Sequence, residues 1–131
     1  MKYLSNYTEE AQTKALNENG AFFAFSNEQL NKQKKENIKY ISLGYGLIVP
    51  KENADNLIDA LDKIHEEGIK ADKADNTKKE IIWRELANHE AQIVNSTADT
   101  IDALKDYNYS ETDIKEVYKE YFAYCVKNDI F

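Results

Sequence analysis

The chain has 131 residues, of which 42% are hydrophobic and 31% charged, and its formal net charge is −7 at pH 7. This length is typical of one domain, and this composition excludes a disordered chain. The N-terminal residues turn polar at once and no apolar run is long enough to span a membrane, so we expect a cytoplasmic protein. Cys125 is the single cysteine, which excludes an internal disulfide, and its helical neighbours predict a small buried side chain.

The charge is distributed unevenly along the chain. Residues 1–51 hold seven lysines and five acids, a net charge of +2, whereas residues 52–131 hold ten basic and nineteen acidic residues, a net charge of −9. Such an acidic region argues against direct binding to the phosphate backbone of a nucleic acid. It indicates either a basic partner or a surface whose charge serves solubility alone.

The first part of the chain alternates helix and strand signals. A helix is predicted from Thr8 to Gly20, with an N-cap at its start and a glycine at its C-terminal end. An aromatic strand is predicted over residues 21–25. Ser26 and Gln29 then have the spacing of a capping box, which opens a second helix.

A β-hairpin is predicted next. Residues 39–43 and 47–49 are rich in apolar and β-branched side chains, residues 44–46 (GYG) lie between them as a turn, and Pro50 ends the second strand. The two turn glycines do not form a phosphate loop, because the further glycine and the lysine that would hold phosphates are missing.

The rest of the chain is predicted to be helical. Gly68 is the expected end of one helix, and capping boxes at Thr77 with Glu80 and at Ser110 with Asp113 open two others. The polar stretch from Lys70 to Asn76 is expected to form the longest loop. Four helices are predicted, over residues 53–68, 77–93, 98–106 and 110–127.

These elements predict an α+β fold in one domain over residues 1–131. A small antiparallel sheet, made of the hairpin and one more strand within residues 21–49, is expected to pack against four to six helices, and the chain is expected to be helical from residue 53 onward.

Four carboxylates recur at i, i+4, i+7 and i+11 on the predicted helix 53–68, and we call them the acidic stripe: Asp55, Asp59, Asp62 and Glu66. Carboxylates one turn apart are separated by about 6 Å along the helix axis, a spacing that can imitate a row of phosphates. The opposite side is apolar and is expected to dock the helix on the core through Leu57, Ile58, Leu61 and Ile64. The stripe is either a partner-binding site or a solvated helix face, and the sequence leaves both interpretations open.

A histidine lies in the most specific local pattern of the chain. His89 shares a helical stripe with Ile82, Leu86 and Ile93, which predicts that it is mostly buried. Glu85, one turn earlier, could accept its N–H or join it as a metal ligand.

Two such ligands are too few for a zinc or iron site. Trp83, Glu85 and His89 are therefore predicted to be structural, and neither a cofactor nor a metal is expected. A catalytic or metal-binding role for Glu85, His89 and Glu90 is the alternative.

A short basic run, made of Lys32, Lys34, Lys35 and Lys39, could contact nucleic acid. It has only four charges, and the sequence does not clearly pair it with an aromatic sheet face. A solvated helix end is the preferred interpretation, and direct nucleic-acid binding is not expected.

Two segments together resemble a known group of proteins. Residues 21–29 (AFFAFSNEQ) and 85–90 (ELANHE), followed by a Thr/Asp-containing helix near residues 97–104, resemble a family of small, uncharacterised proteins of bacteriophages, prophages and other mobile elements. The resemblance implies a mobile-element accessory protein. Small acidic proteins of that origin include many anti-CRISPR proteins, which act by stoichiometric binding and commonly lack catalytic motifs.

The function expected from these observations is inhibition of a host nucleic-acid defence enzyme, with a CRISPR effector or its ribonucleoprotein as the first partner to consider. The protein would act in the host cytoplasm as a monomer or homodimer, and the acidic stripe would bind a basic surface of the target. A small enzyme using Glu85, His89 and Glu90 is one alternative. A phage structural or regulatory protein is the other.

Overall fold

The computed structural model describes residues 2–131, which form seven α-helices and a three-stranded antiparallel sheet. The strands are β1 (Phe22–Phe23), β2 (Tyr40–Ser42) and β3 (Leu47–Pro50). The helices are α1 (Leu4–Glu18), α2 (Asn27–Gln33), α3 (Ala54–Asp75), α4 (Lys78–Asn88), α5 (Ala91–Val94), α6 (Ala98–Ala103) and α7 (Glu111–Asn128). The predicted α+β class is confirmed, and the described residues hold seven α-helices rather than four to six.

Two compact units account for the described residues. The sheet unit is Ser5–Gly68, and the helical unit is residues 2–4 together with Ile69–Phe131. Helix α3 contributes residues to both.

The sheet has the strand order β1-β3-β2, with both pairs antiparallel. The predicted hairpin is confirmed: β2 and β3 pair from Tyr40 with Pro50 to Ser42 with Ile48. The first strand is shorter than predicted, because the chain leaves the ladder after Ala24, whose N–H donates to the carbonyl of Gly46 at 2.8 Å. The strand then gives way to α2, which Ser26 caps by accepting from the N–H of Gln29 at 3.2 Å.

The core of the sheet unit lies between the sheet and the helices α1 and α3. Its buried members are Ala15, Val49, Ala54 and Leu57. Leu57 holds α3 to this core as predicted, whereas the prediction for Ile58 is wrong, because its side chain is 41% exposed. Ile58 lies at the border between the apolar face of α3 and the acidic stripe, where the helix no longer meets the core.

Helix α3 does not end at Gly68. It continues to Asp75, so the loop expected after Gly68 is wrong. A glycine inside a helix costs about 1 kcal/mol relative to alanine. In the helical unit, the next turn of α3 buries Ile69, and the burial of this apolar side chain offsets that cost.

Helix α1 begins at Leu4, one turn before Thr8, which was predicted as its N-cap. Thr8 is instead a buried residue inside the helix.

Helix α4 ends at Asn88, whereas its predicted end is residue 93. The chain turns there because Glu90 adopts a left-handed conformation with φ of 50°, which no helix continues. Ile93 therefore lies on the separate helix α5 and is exposed rather than part of a continuous stripe.

The helical unit is built on a core that α4 and α7 contribute jointly. Ile81, Ile82 and Leu86 of α4 are buried with Ile114 and Cys125 of α7. Both predicted capping boxes that open these helices are confirmed. Among residues 2–131, no helix is long and apolar enough to cross a membrane.

Candidate binding surface

The acidic stripe lies on the solvent-facing side of α3 within the sheet unit. All four carboxylate residues, Asp55, Asp59, Asp62 and Glu66, are exposed, while Leu57 on the opposite side is fully buried. Among the described residues 2–131, no basic side chain lies within 4.0 Å of these four carboxylates as an ion-pair partner. The helix thus presents four carboxylates that no ion pair among the described residues neutralises.

The surroundings of the stripe differ between its two ends. Asp55 borders a shallow surface cleft that Lys39, Lys51 and Glu52 also line, so the field at this end is mixed. Residues 54–68 as a whole hold five acids and one lysine, a net charge of −4. Residues 54–68 are therefore acidic as a whole, with Lys63 as their single lysine.

An apolar side chain lies next to the stripe. Ile58 is one turn from Asp55 and one turn from Asp62, and it is exposed. Interfaces commonly combine a partly exposed apolar anchor with a charged rim. The stripe and Ile58 together make a surface suited to a basic protein that also offers an apolar contact.

His89 is the C-cap residue of α4, and its side chain is 30% exposed, so most of it is buried, in agreement with the prediction. The predicted stripe is not continuous, because Ile93 lies on α5. Nε2 of His89 lies 3.6 Å from Oε2 of Glu85, the acceptor expected from the spacing of one turn. The other oxygen, Oε1 of Glu85, accepts from Nε of Arg84 at 3.0 Å.

The alternative catalytic or metal site gains no further ligands from this geometry. Glu90 is exposed, and its backbone turns the chain away from α4. Within residues 2–131 no group of three or more histidine, cysteine, aspartate or glutamate side chains converges in a way that could hold a metal ion. The two carboxylate oxygens of Glu85 instead face Arg84 and His89 within the helical unit.

Trp83 packs between two tyrosines of α7. Its ring lies 5.2 Å from that of Tyr121 and 5.3 Å from that of Tyr124, edge-on in both cases. Edge-to-face aromatic pairs stabilise by about 0.5–1.5 kcal/mol beyond the area that they bury. These contacts agree with the structural role predicted for Trp83, which remains a prediction.

The sequence did not predict the main polar feature of the helical unit, a buried ion pair between Arg84 and Asp72. The guanidinium nitrogens Nη1 and Nη2 of Arg84 donate to Oδ1 and Oδ2 of Asp72, both at 2.9 Å. Tyr107 donates its hydroxyl to Oδ2 at 2.6 Å, and Asn76 donates its amide to Oδ1 at 2.9 Å. Each carboxylate oxygen therefore accepts two hydrogen bonds, as a buried charge requires.

Arg84 also holds the first described residues of the chain. Its Nη1 donates to the carbonyl of Lys2 at 3.0 Å, and its guanidinium carbon lies 5.9 Å from the centre of the Tyr3 ring. One arginine thus joins α3, α4 and the segment before α1 within the helical unit. Such a planar donor fork can serve several acceptors at once.

The ionisation of this cluster follows from its contacts. Burial alone would raise the pKa of Asp72, but the hydrogen bonds from Arg84, Tyr107 and Asn76 and the charge of Arg84 more than offset it, so the pKa lies below its usual range. Burial, together with the hydrogen bond to Asp72, raises the pKa of Tyr107. Asp72 is therefore charged and Tyr107 neutral at physiological pH, and neither is exposed to a substrate.

The comparisons with known proteins give one match. A family model with the description "family of unknown function (DUF7659)" matches residues 4–125, which is nearly the whole chain. No curated protein and no solved structure matches the chain.

Proposed function

The chain belongs to the DUF7659 family, whose function is unknown, and we propose that it is a stoichiometric inhibitor of a host nucleic-acid defence enzyme, with a CRISPR effector as the first target class. In this proposal the acidic stripe occupies a basic surface on which the target would otherwise hold nucleic acid. The observation that carries the proposal is the exposed row Asp55, Asp59, Asp62 and Glu66 without ion-pair partners among the described residues.

The spacing of the stripe supports the imitation of a phosphate backbone. From Asp55 to Glu66 the helix rises by about 16 Å in three turns, with a carboxylate roughly every 6 Å or less. Leu57 anchors the helix from behind, so the backbone that carries the four carboxylates is ordered before the partner arrives. Preorganisation of this kind lowers the entropy lost on binding.

The uncompensated repulsion within the stripe also favours a basic partner. Like charges one turn apart destabilise an isolated helix by about 0.2–0.5 kcal/mol per pair. A lysine- or arginine-lined channel would relieve this repulsion and would steer the two proteins together. The exposed Ile58 would then contribute an apolar contact at the edge of the same surface.

The experiment that tests this proposal is capture of the partner from a host lysate with the immobilised full chain, followed by mass spectrometry and reconstitution with the purified partner. The proposal predicts a nucleic-acid enzyme, inhibition that saturates at a fixed stoichiometric ratio, and competition between the protein and the free nucleic-acid substrate of the target. Inhibition that continues catalytically at substoichiometric amounts would contradict the proposal and would favour the enzyme alternative.

Two variants make the experiment specific to the stripe. The stripe variant carries Asp55→Asn, Asp59→Asn, Asp62→Asn and Glu66→Gln, which removes four charges and keeps the apolar face of α3. The control variant removes the same number of charges from exposed acids on other helices through Glu9→Gln, Glu10→Gln, Asp102→Asn and Glu116→Gln. Both variants have a net charge of −3 instead of −7, so a difference between them reports position rather than net charge.

A further inference from the structure

Helix α7 carries apolar side chains on its solvent side as well as on its core side. Ile114, Tyr121 and Cys125 are buried in the helical unit, as expected for a surface helix that docks by one face. On the other side, Phe122 is 36% exposed and Val126, one turn later, is 58% exposed. The solvent side of such a helix is normally polar, so adjacent apolar side chains there indicate a contact surface.

A third apolar side chain extends this surface. The ring of Phe131, which is 61% exposed, lies edge-on to that of Phe122, with centroids 5.9 Å apart. The N–H of Ile130 donates to the carbonyl of Cys125 at 2.9 Å, which fixes the turn that precedes Phe131. We call the surface formed by Phe122, Val126 and Phe131 the α7 patch, and it is an ordered part of the helical unit.

Charged side chains lie on both sides of the patch along α7. Lys115 lies seven residues before Phe122, and Asp129, the C-cap residue, lies seven residues after it. On one flank of the same face, Glu116 lies six residues before Phe122 and Lys127 five residues after it, both about 120–140° from Phe122 around the helix axis. All four charged residues are exposed. Within residues 2–131, Glu116, Lys127 and Asp129 have no ion-pair partner, and Lys115 has only an exposed contact at 3.9 Å on its own helix.

This order of charges is complementary to itself under a two-fold rotation. When two copies of α7 pack antiparallel and cross at Phe122, residues before the crossing in one copy lie level with residues equally far after it in the other. Lys115 then faces Asp129 of the second copy. Glu116 likewise faces Lys127 of the second copy, and the symmetry repeats each contact. A parallel pair would place each of these charges against its own equivalent, which is repulsive.

We propose that the chain forms a two-fold homodimer in which the α7 patch packs antiparallel against that of a second copy. A chain of net charge −7 repels its own copies over most of its surface. Residues 115–129 hold three lysines and three acids, a net charge of zero, so two copies can meet there without net repulsion. A partner of strongly basic or acidic character gains nothing from this balance, whereas a second copy matches both signs. The inference selects the homodimer from the two states expected from the sequence, and it does not depend on the function of the acidic stripe.

Sedimentation equilibrium of the full chain, at concentrations from about 1 μM to about 1 mM, tests the inference. The weight-average mass should rise with concentration from the monomer mass of 15.1 kDa toward twice that value.

A first pair of variants connects the association to the patch. Val126→Glu places a carboxylate in the apolar centre and should raise the dimer dissociation constant by more than about tenfold. The fold should survive, with an unchanged circular dichroism spectrum, because this side chain is more than half exposed. Tyr45→Glu makes the same change of net charge at a side chain that is 98% exposed in the sheet unit, and it should dimerise like the parent.

A charge swap tests the antiparallel orientation. Glu116→Lys alone sets two lysines against each other at both ends of the contact, and Lys127→Glu alone sets two glutamates against each other. Each single variant should weaken the dimer by about tenfold. The double variant restores opposite charges and keeps the net charge of −7, so it should dimerise within about threefold of the parent.

The outcomes decide between this contact and the alternatives. A chain that stays monomeric at all concentrations, a Val126→Glu variant that dimerises like the parent, or a double charge variant no tighter than the single variants would overturn the inference. The stripe variant should dimerise at least as tightly as the parent, because it loses only negative charge outside the contact. Failure of dimerisation and failure of inhibition by the acidic stripe are therefore separate results.

Discussion

Removal of Arg84 is the most direct perturbation of the helical unit, because its partner Asp72 would stay buried. In Arg84→Met the carboxylate of Asp72 keeps the donors Tyr107 and Asn76 but loses both hydrogen bonds and the charge of the guanidinium. Breaking a buried ion pair on one side typically costs about 3–5 kcal/mol. Because two donors remain, we expect a loss near the lower end, about 3 kcal/mol, which is a large part of the 5–15 kcal/mol that stabilises a typical domain.

Adding Asp72→Asn to Arg84→Met distinguishes the free-energy cost of the unpaired Asp72 charge from the cost of the packing that Arg84 loses. An asparagine can still accept from Tyr107 and carries no charge, so the double variant Arg84→Met with Asp72→Asn should be more stable than Arg84→Met alone. Urea unfolding followed by circular dichroism measures the free energies of all members of this double-mutant cycle. Lys79→Met is the matched control on α4, because its ion pair with Glu120 is exposed and should contribute less than about 1 kcal/mol. A loss below about 1 kcal/mol in Arg84→Met, or purely additive effects of the two substitutions, would refute this reasoning.

Three further predictions concern the pH dependence, the histidine and the domain count. Because the pKa of Asp72 is lowered in the folded state, the stabilisation that Asp72 contributes is present above its unfolded pKa of about 3.9 and is lost as the pH falls through its folded pKa. Asp72→Asn should therefore remove this part of the decrease of the urea midpoint at acid pH. Because the pKa of Tyr107 is raised in the folded state, the stabilisation that Tyr107 contributes is present below its unfolded pKa of about 10 and is lost as the pH rises above it. Tyr107→Phe should therefore reduce the decrease of the free energy of unfolding at alkaline pH. His89→Ala should lower the free energy of unfolding by about 1 kcal/mol and leave partner binding unchanged; unchanged melting with abolished activity would contradict a structural role. The prediction of a single domain requires one calorimetric transition with equal calorimetric and van't Hoff enthalpies, and two resolved transitions would contradict it.

The parts of the fold that the sequence predicted correctly depend on local rules. Thr77 with Glu80 and Ser110 with Asp113 form capping boxes because each pair satisfies backbone groups within one turn. The hairpin is also predicted from local sequence, because a glycine-rich turn lies between two segments of apolar and β-branched residues. Such signals need no knowledge of the rest of the chain.

The parts that the sequence missed depend on contacts between distant residues. Gly68 stays helical because residues after it in α3 are buried, and Asp72 is among them only because Arg84 twelve positions later neutralises it. Glu90 ends α4 in a left-handed conformation that its residue type does not favour, so no local signal marked that end.

The candidate surfaces show the same difference. Helical periodicity alone identified the acidic stripe, and the exposure of all four of its residues agrees with it. The exposed positions of the Phe23 and Phe25 rings could not be predicted, because they depend on distant contacts. The N–H of Phe25 donates to Gln29, Gln33 donates to the carbonyl of Phe23, and the ring of Phe25 lies over Gly46.

The affinity of the stripe variant for the captured partner, measured beside the parent and the control variant over a range of salt concentrations, tests the central claim most directly. The account predicts that the stripe variant melts at or slightly above the parent temperature and binds more than about tenfold more weakly, a loss of about 1.4 kcal/mol or more. Its binding should also depend less on salt, whereas the control variant should stay within about threefold of the parent. A folded stripe variant that binds and inhibits as well as the parent would contradict the claim that α3 is the contact.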